Sequence, residues 1–494
     1  MKEASPGYRP VTIFVVVIGV IALVALVTVA VVQNKPLTQK YKYGIVLDAG
    51  SSHTALYIYK WPAEKDNNTG RVTQANETCK VKGPGISSYA SNPQGAGESL
   101  RACMLEAKKF IPASRQEETP LYLGATAGMR LLNMENASAS DSVFKAVEEA
   151  LDSYTFSYRG ARLLTGLEEG AFGWVTVNYL DGRLTQGQKT IGALDLGGAS
   201  TQISFVSPNF DGSESPNNLM MFRLYGNDYN LYSHSFLCYG KDQALRQTLA
   251  HQTQSGQSIV NDPCFHSKYS KVWEYSNLYD TPCVADRKPD NSPTNFTLNG
   301  SGNFQQCQQL IKSIFNFTQC KYSRCSFNGV FQPELQGSFG AFSAYYYVLD
   351  FLNLADTSRV SLEKAKDKLK EYCATPWPEL QKQHPKTKEK YLSEYCFSGT
   401  YILTLLTEGY NFTADTYKEI TVIGKMQGSD AGWTLGYMLN LTNMIPAEAP
   451  DRPPIAYPSY VSIMVITGIV LGIVLLFIVY THSRTQCSNT QKIV

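Results

Sequence analysis

Residues 43–59, YGIVLDAGSSHTALYIY, decide the fold of this chain. They consist of an apolar run, Asp48, a turn of small residues and a second β-like run. Residues 191–205, IGALDLGGASTQISF, repeat this order, with Asp195 in the place of Asp48. Both copies predict a strand, a carboxylate at its end, a tight turn and a returning strand. The two aspartates are 147 positions apart, which is about the length of one domain.

The turns of both copies are suited to phosphate. Small residues let a phosphate approach the backbone N–H groups closely, and the hydroxyls of Ser51, Ser52 and Ser200 add donors. Asp48 and Asp195 supply hard carboxylates that can hold Mg²⁺ or Ca²⁺, directly or through water. Two facing hairpins would clamp a polyphosphate from both sides. One such turn alone would be interpreted as an ordinary β-turn, but the matching pair favours phosphate binding.

Two stretches between the hairpins place polar side chains next to glycines. In residues 124–130, GATAGMR, Thr126 could offer its hydroxyl to a phosphate or to a metal-bound water. Arg130 fits a structural ion pair as well as it fits a substrate contact. In the later stretch TGLEEGAFGW, the neighbouring acids Glu168 and Glu169 could supply a general base. They could equally be acids in the first turn of a helix, where they favour the helix dipole.

The spacing of apolar residues predicts an α/β fold. Residues 141–154 and 362–372 show helical patterns, and they alternate with the β-like runs around the aspartates. Residues 286–303 are rich in Asn, Ser, Pro and Gly, so we expect a surface loop there.

Two uncharged segments, residues 11–32 and 460–480, frame the rest of the chain. Each is long enough to cross a bilayer core as a helix. The first is too long for a typical signal peptide and no small-residue cleavage site follows it. A mostly polar tail follows the second, unlike a GPI signal. We therefore expect two transmembrane helices, with tails at residues 1–10 and 481–494.

Ten of the eleven cysteines lie between the two spans, and Cys487 lies in the C-terminal tail. The even number predicts five disulfides formed in an oxidising compartment. The same region carries eight N-x-[ST] sequons. Together these features predict that it lies outside the cell at the plasma membrane, with both termini in the cytoplasm. The sequons are at Asn67, Asn76, Asn136, Asn295, Asn299, Asn316, Asn411 and Asn440.

Other phosphatase chemistries have no motif in this sequence. There is no Walker A pattern and no C-x₅-R loop, and the six scattered histidines have no zinc-ligand spacing. The net charge of +2 gives no sign of nucleic acid as a partner.

Five stretches now define a resemblance. Residues 48–54, 124–130, 166–173, 194–202 and 426–435 resemble, in order and with suitable spacing, the five apyrase conserved regions. The chain is similar over nearly its whole length to the ectonucleoside triphosphate diphosphohydrolases of the cell-surface type. The resemblance implies an α/β fold like that of actin and the heat-shock chaperone ATPases (ASKHA, RNase H-like). It has two lobes, residues 36–161 plus 427–459 and residues 162–426, with a nucleotide cleft between them.

The resemblance also implies an activity and its residues. Water would attack the terminal phosphate of extracellular ATP, ADP, UTP or UDP, assisted by Mg²⁺ or Ca²⁺, and so control purinergic signalling. Glu169 would be the general base, Ser200 and Gln202 would hold the water, and Thr126 would assist. The water shell of the cation would contact Asp48 and Asp195. The two phosphate loops would be lined by Ser51, Ser52, His53, Gly197, Gly198 and Ala199.

For the nucleoside, the resemblance implies that Tyr347 and Tyr395 stack on the base, although packing in an aromatic core would explain both equally. Lys241 takes the place of an arginine common near the ribose, and Trp433 lies beside the cleft. Gly468 and Gly472 form a small-xxx-small pair that could join two copies in the membrane. The implied disulfides are Cys79–Cys103, Cys238–Cys283, Cys264–Cys307, Cys320–Cys325 and Cys373–Cys396.

The alternative to an enzyme is an ATP-gated cation channel. That architecture also has two spans, cytoplasmic termini and a glycosylated ectodomain with ten cysteines. The paired aspartate hairpins favour the enzyme, because a ligand-gated channel needs no carboxylates facing the phosphates.

Overall fold

The structure is a computed structural model, and it describes residues 8–34, 40–65, 71–184, 187–442, 445, 447–448 and 455–490. The chain divides into two compact units. The smaller unit contains both termini and begins with helix α1 (Tyr8–Gln33). The larger unit runs from Tyr41 to Pro446, so the boundaries of two lobes within it stay a prediction.

The first part of the larger unit is a six-stranded sheet with helices. Its strands are β1 (Tyr41–Ala49), β2 (Thr54–Pro62), β3 (Thr73–Gln74), β4 (Cys79–Lys80), β5 (Pro120–Ala125) and β6 (Ser157–Leu163). Its helices are α2 (Pro93–Ser99), α3 (Arg101–Phe110), α4 (Ala113–Gln116), α5 (Ala127–Glu135) and α6 (Ala137–Asp152). The strand order is β3-β2-β1-β5-β6, and β4 also pairs with β2.

The second part begins with helix α7 (Gly166–Leu180). Its strands are β7 (Gly192–Leu196), β8 (Ser200–Val206), β9 (Leu219–Leu224), β10 (Asn227–Leu237), β11 (Ile259–Asp262), β12 (Ser270–Glu274), β13 (Asn295–Gly300), β14 (Phe339–Ser343) and β15 (Ile420–Val422). Its further helices are α8 (Lys241–Thr253), α9 (Tyr275–Tyr279), α10 (Phe304–Lys312), α11 (Ala344–Phe351), α12 (Leu362–Ala374), α13 (Trp377–Gln383), α14 (Glu389–Thr404) and α15 (Ala414–Tyr417). The second large sheet has the order β15-β14-β7-β8-β10-β9.

The two large sheets repeat one topology. In the first, β1 and β2 form an antiparallel hairpin, β1 pairs in parallel with β5, and β5 with β6. In the second, β7 and β8 form the hairpin, β7 pairs in parallel with β14, and β14 with β15. Asp48 and Asp195 take corresponding places near the ends of β1 and β7. The α/β class and the paired hairpins expected from the sequence are therefore present.

The apolar run of β1 is explained by burial on both faces. Ile45, Val46 and Leu47 are fully buried. Ile45 and Leu47 belong to a core with the helices of the first part, whereas Val46 belongs to another core with Trp174 of α7. A central strand that is covered on both faces has a continuous apolar run, and this run is what predicted the strand.

The C-terminal end of the larger unit packs closely onto α7. It contains β16 (Lys425–Met426), β17 (Ser429–Asp430) and α16 (Trp433–Thr442). A side chain on Gly436 would lie 2.1 Å from the carbonyl oxygen of Phe172, so only glycine permits this approach. The Gly436 N–H also donates to the hydroxyl of Thr176 at 2.8 Å.

The prediction of a surface loop at residues 286–303 is wrong in part. Strand β13 runs within it and is the central strand of a three-stranded sheet with β11 and β12. Phe296 and Leu298 alternate along this strand and are buried. Because only two apolar residues alternate with polar ones along this strand, the alternation was too short to predict a strand from the sequence.

All ten cysteines between the spans form disulfides, in the pairs that the resemblance implied. These pairs are Cys79–Cys103, Cys238–Cys283, Cys264–Cys307, Cys320–Cys325 and Cys373–Cys396. Cys79–Cys103 joins β4 to α3 across 24 positions and so holds the short strand β4 in the sheet.

Replacing Cys103 with serine is expected to lower the amount of protein at the cell surface. Closing a loop of this length stabilises a folded protein by about 2–4 kcal/mol, chiefly by restricting the unfolded chain. The fraction that folds should keep a near-normal kcat, because neither cysteine is part of the catalytic site. Surface biotinylation and kcat per surface molecule measure the two effects. Labelling of ten free thiols in native wild-type protein would contradict the disulfide framework.

Seven of the eight sequons fall on described residues, and Asn67 lies outside them. Asn136, Asn295, Asn316 and Asn411 are exposed, whereas Asn76, Asn299 and Asn440 are half-buried. The amide oxygen of Asn299 accepts from the Ser270 hydroxyl at 2.9 Å on the paired strand. Which sequons carry glycans stays a prediction.

The smaller unit has two helices with the length and apolar character of membrane spans. They are Pro10–Gln33 and Tyr457–Arg484, the latter within α17 (Tyr457–Thr490). α17 therefore continues into the predicted C-terminal tail. Gly19 meets α17 directly, because a Cβ there would lie 2.8 Å from Val474 Cγ1. Among the described atoms, none lies within 4 Å of a Cβ built on Gly468 or Gly472, so joining of two copies through this pair stays a prediction.

Candidate active site

Strand register places three polar residues in one row. Two of them were predicted from the sequence, Asp195 and Gln202, and the third, Ser235, was not. Asp195 on β7 is opposite Gln202 on β8, and Gln202 is opposite Ser235 on β10. Side chains at directly opposed positions lie on the same face of a sheet. The row therefore brings together residues that are up to 40 positions apart in sequence.

Helix α7 lies against this face, and its glycines allow a close approach. A Cβ on Gly170 would lie 2.6 Å from Ser204 Oγ and 2.8 Å from Ser233 Oγ. A Cβ on Gly166 would lie 2.3 Å from that of Ser235. Since contacts below about 3 Å are not tolerated, any larger residue would push the helix and its acids away from the strands.

The two acids of α7 have different roles. Thr165 caps the helix and forms a reciprocal capping box with Glu168, whose side chain accepts from the Thr165 N–H at 2.9 Å. Glu168 also pairs with Arg162 at 2.8 Å. The interpretation as a helix N-terminus is therefore right for Glu168. Glu169, about 100° further round the helix, is buried against the row of strand residues.

Glu169 is held by two donors. Arg130 forms an ion pair with its Oε2, and Gln202 Nε2 donates to the same oxygen at 3.1 Å. Burial raises the pKa of Glu169, and the Arg130 guanidinium offsets part of that rise. Because both bonds go to Oε2, Oε1 is the oxygen that can accept a proton. Of the two sequence interpretations for Arg130, the structure shows the ion pair.

The amide of Gln202 is oriented by its neighbours. Its Nε2 lies 2.8 Å from both Ser200 Oγ and Ser235 Oγ, besides its bond to Glu169. Three acceptors around the NH₂ group fix the nitrogen on that side. The carbonyl oxygen Oε1 is buried and has no partner among the described residues. A buried acceptor without a donor is costly, which suggests a place for a water O–H.

The two aspartates are ionisable groups in an unusual environment. Burial, and to a smaller extent Glu169, raise the pKa of Asp48 to about 8 and that of Asp195 to about 7. Asp48 Oδ1 is buried with no hydrogen bond among the described residues, although the nearby Trp433 indole favours the charged form. The hydroxyl of Ser343 favours the charged form of Asp195. Ser343, which has a strained φ of 60°, is a residue that the sequence interpretation missed.

These carboxylates suit a hard cation held largely through water. Asp48, Asp195 and Glu169 are close together, since Glu169 raises the pKa of both aspartates and Asp195 raises that of Asp48. However, no group of three or more His, Cys, Asp or Glu side chains in the described part of the chain could surround a metal ion. The unsatisfied Oδ1 of Asp48 could accept from a water in the shell of Mg²⁺ or Ca²⁺. The donor set thus fits the cation expected from the sequence.

The two phosphate loops approach each other. A Cβ on Gly198 would lie 2.8 Å from Ser51 Oγ. Ser52 Oγ is 2.9 Å from His53 Nδ1, and burial lowers the pKa of His53. The carbonyl of Gly197 accepts from the N–H of Lys241 at 2.9 Å, so the second loop is tied to the start of α8. Ala199 and Ser200 in this loop are buried.

Thr126 and Trp433 lie beneath the first loop. The Thr126 N–H donates to the carbonyl of Ala49 at 3.1 Å, and its side chain is buried at the start of α5. Trp433 is 2% exposed and covers Gly124, where a Cβ would meet its ring at 2.3 Å. Trp433 also lies near Asp48, and its contact with a nucleotide stays a prediction.

The residues expected at the nucleoside are less closely assembled. Tyr347 is 62% exposed. Tyr395 is partly buried and stacks on Phe351 with ring centroids 3.9 Å apart. Lys241 pairs with Asp242 at 2.5 Å and with Glu394 at 3.0 Å. The proposed ribose contact of Lys241 thus competes with two carboxylates of the chain itself.

The site consists of two facing loops, each following a carboxylate, and of a buried acid beside an oriented amide. Hydrolases that act on phosphates have sites of this kind. The chain belongs to the GDA1/CD39 (nucleoside phosphatase) family, whose model matches residues 34–454. This result confirms the resemblance drawn from the five stretches.

Individual relatives agree. The chain is 54% identical to ectonucleoside triphosphate diphosphohydrolase 1 of Rattus norvegicus, over 92% of this chain and 91% of the relative. It is 46% identical to ectonucleoside triphosphate diphosphohydrolase 8 of Homo sapiens, over 88% and 89%. Among solved structures, nucleoside triphosphate hydrolases from Neospora caninum match with a TM-score of 0.58 at 15% identity, covering 82% of this chain and 93% of theirs. That match supports the two-sheet α/β fold expected from the resemblance.

Proposed function

We propose that this protein hydrolyses nucleoside tri- and diphosphates to the monophosphate and inorganic phosphate, by attack of water assisted by a divalent cation. The observation that carries the proposal is the pair formed by Glu169 and Gln202. A carboxylate oxygen and an unsatisfied amide oxygen lie together next to two loops suited to phosphate. Family membership agrees with this activity and gives no support to a cation channel.

The residues of the chain divide the work of the reaction. Gln202 Oε1 accepts one hydrogen of the attacking water, and Ser200 helps to hold the water in place. Glu169 Oε1 takes the other proton as the oxygen attacks the terminal phosphorus, and the bond from that phosphorus to the bridging oxygen breaks, so that the shortened nucleotide leaves. Ser51, Ser52 and His53 on one side and residues 197–199 on the other bind the phosphate oxygens, and Thr126 assists near the terminal phosphate.

The cation contributes charge neutralisation. When Mg²⁺ or Ca²⁺ is bound, it offsets the negative charge that develops on the phosphoryl oxygens. Asp48 and Asp195 would hold its water shell. The Trp433 indole favours the charged form of Asp48 and the Ser343 hydroxyl favours that of Asp195, so each offsets part of the rise in pKa that burial causes.

We further propose that the site faces the outside of the plasma membrane, so that extracellular nucleotides are the substrates. Along the chain, one membrane-type helix precedes the larger unit and another follows it, and the ten cysteines of that unit are all paired. Five disulfides are typical of an oxidising compartment. The four exposed sequons are suited to glycosylation in the same compartment.

Removing divalent cations is expected to abolish the activity. Two hard carboxylates without an imidazole cluster favour Mg²⁺ or Ca²⁺ over zinc. The full-length protein in sealed vesicles should release phosphate from ATP, lose this activity in EDTA and recover it with either ion. Phosphate release is measured together with membrane conductance. Full activity in chelator would rule out the cation, whereas a nucleotide-gated current without phosphate release would establish the channel instead.

A further inference from the structure

The positive charges near the proposed nucleotide site are mostly committed to acids of the chain. Arg130 is paired with Glu169. Lys241 is held between Asp242 and Glu394. Burial lowers the pKa of the His53 imidazole and so disfavours its charged form. Arg130 and Lys241 neutralise the protein's own carboxylates, so little cationic charge is left for a polyphosphate.

Lys80 is an exception, and the register of the first sheet directs it toward the site. Ala55 on β2 is opposite both Asp48 on β1 and Lys80 on β4. Lys80, Ala55 and Asp48 therefore form a row with their side chains on one face. Strands are spaced by about 4.8 Å, and Ala55 carries only a methyl group. A lysine side chain can extend over Ala55 toward the place where the phosphates meet Asp48.

The ammonium of Lys80 has no strong partner. Its Nζ lies 6.0 Å from the centroid of the Tyr347 ring, at the outer limit of a cation–π contact. No carboxylate of a described residue lies within ion-pair distance of it, and the residue is exposed. Tyr347 is one of the two tyrosines expected at the base, so Lys80 lies between the base end and the phosphate end of the site. The Cys79–Cys103 disulfide fixes the strand that carries it.

We propose that Lys80 binds the part of the polyphosphate that is closer to the nucleoside, and that it thereby favours triphosphates over diphosphates. The inference rests on the proposed function. The two loops and the cation would fix the terminal phosphate next to the attacking water whichever nucleotide is bound. A triphosphate then extends one phosphate further from that point and presents more negative charge to Lys80. Lys80 does not touch the reacting phosphate, so it acts on binding rather than on the chemical step.

The test compares Lys80→Ala with Lys82→Ala. Lys82 is also exposed and lies two positions further along the chain. It is not among the residues of β4 that pair with β2, so strand pairing does not direct it toward Asp48. Lys80→Ala would remove a charge-assisted hydrogen bond to the nucleotide. We therefore expect its kcat/KM for ATP to fall about tenfold. The loss for ADP should be smaller, kcat should be nearly unchanged, and Lys80→Arg should retain most of the wild-type value. Lys82→Ala should match wild type for both substrates.

Two controls keep the result interpretable. Direct binding of a non-hydrolysable ATP analogue should weaken in Lys80→Ala, and the difference from wild type should shrink as salt is added. Wild-type kcat/KM values in Lys80→Ala, or an equal loss in Lys82→Ala, would overturn the role of Lys80. A fall in kcat with unchanged KM and unchanged analogue binding would overturn it as well. If the wild-type protein releases no phosphate, the proposed function fails, and analogue binding alone then decides whether Lys80 contacts the nucleotide.

Discussion

Replacing Glu169 with glutamine should lower kcat by about 10²–10⁴-fold, the usual contribution of a general base. Glutamine keeps the size of the side chain and removes its basicity, so the water would lose its proton acceptor. Affinity for a non-hydrolysable ATP analogue should hardly change, because the loops and the cation hold the phosphates. The measurement is kcat from phosphate release, alongside direct binding of the analogue.

The neighbouring acid provides a matched control. Glu168 accepts from the Thr165 N–H and pairs with Arg162, so Glu168→Gln keeps a capping side chain and loses an exposed ion pair. Exposed pairs contribute about 0–1 kcal/mol, and kcat should stay close to wild type. A near-normal kcat for Glu169→Gln would show that another group takes the proton. Equal losses in the two variants would indicate that the acids support helix α7 rather than the reaction.

The hairpins could be predicted because their information is local. In each copy the strand, the aspartate and the turn lie within about fifteen consecutive residues, and the strands are apolar because they are buried on both faces. The disulfide pairs and the choice of Glu169 over Glu168 came from the family resemblance. The capping box would have distinguished the acids only if the helix start at Thr165 had been known.

The surroundings of the acids could not be predicted in the same way. Ser235 reaches Gln202 only through the pairing of β8 with β10, which no local pattern records. Ser343 reaches Asp195 through the parallel pairing of β7 with β14, about 150 positions further along the chain. The run FGAFS forms β14 directly before α11. Five residues are too few to identify this strand from the sequence alone. The ion pair of Arg130 likewise joins two helices, α5 and α7, whose contact no local pattern records.

The Arg130–Glu169 pair reflects a compromise between basicity and binding. Burial raises the pKa of the carboxyl, which strengthens it as a base. Without a counter-ion, the same burial would raise this pKa further and leave less of the carboxyl in the deprotonated form that acts as the base. Arg130 limits the rise, and its further contacts with Ser200 at 3.3 Å and Ser235 at 3.4 Å place it against the residues that orient the water.

Replacing Arg130 with methionine should therefore shift the acid limb of the kcat–pH profile to higher pH. The guanidinium lowers the pKa of Glu169, so its removal lets burial raise that pKa further. The reaction needs the deprotonated form, so kcat at pH 7 should fall and partly recover as the pH rises. Removing one partner of a buried pair should also destabilise the protein by about 3–5 kcal/mol.

The sign of the stability effect separates this explanation from simple misfolding. A carboxyl whose folded-state pKa is raised favours the folded state most at low pH, and this contribution is lost as the pH rises through that pKa. Arg130→Met should thus lose more thermal stability, relative to wild type, at pH 9 than at pH 6. Arg130→Lys keeps the positive charge and should hold the acid limb near its wild-type position. An acid limb that stays in place in Arg130→Met, with kcat uniformly reduced at every pH, would show that Arg130 does not set the protonation of Glu169.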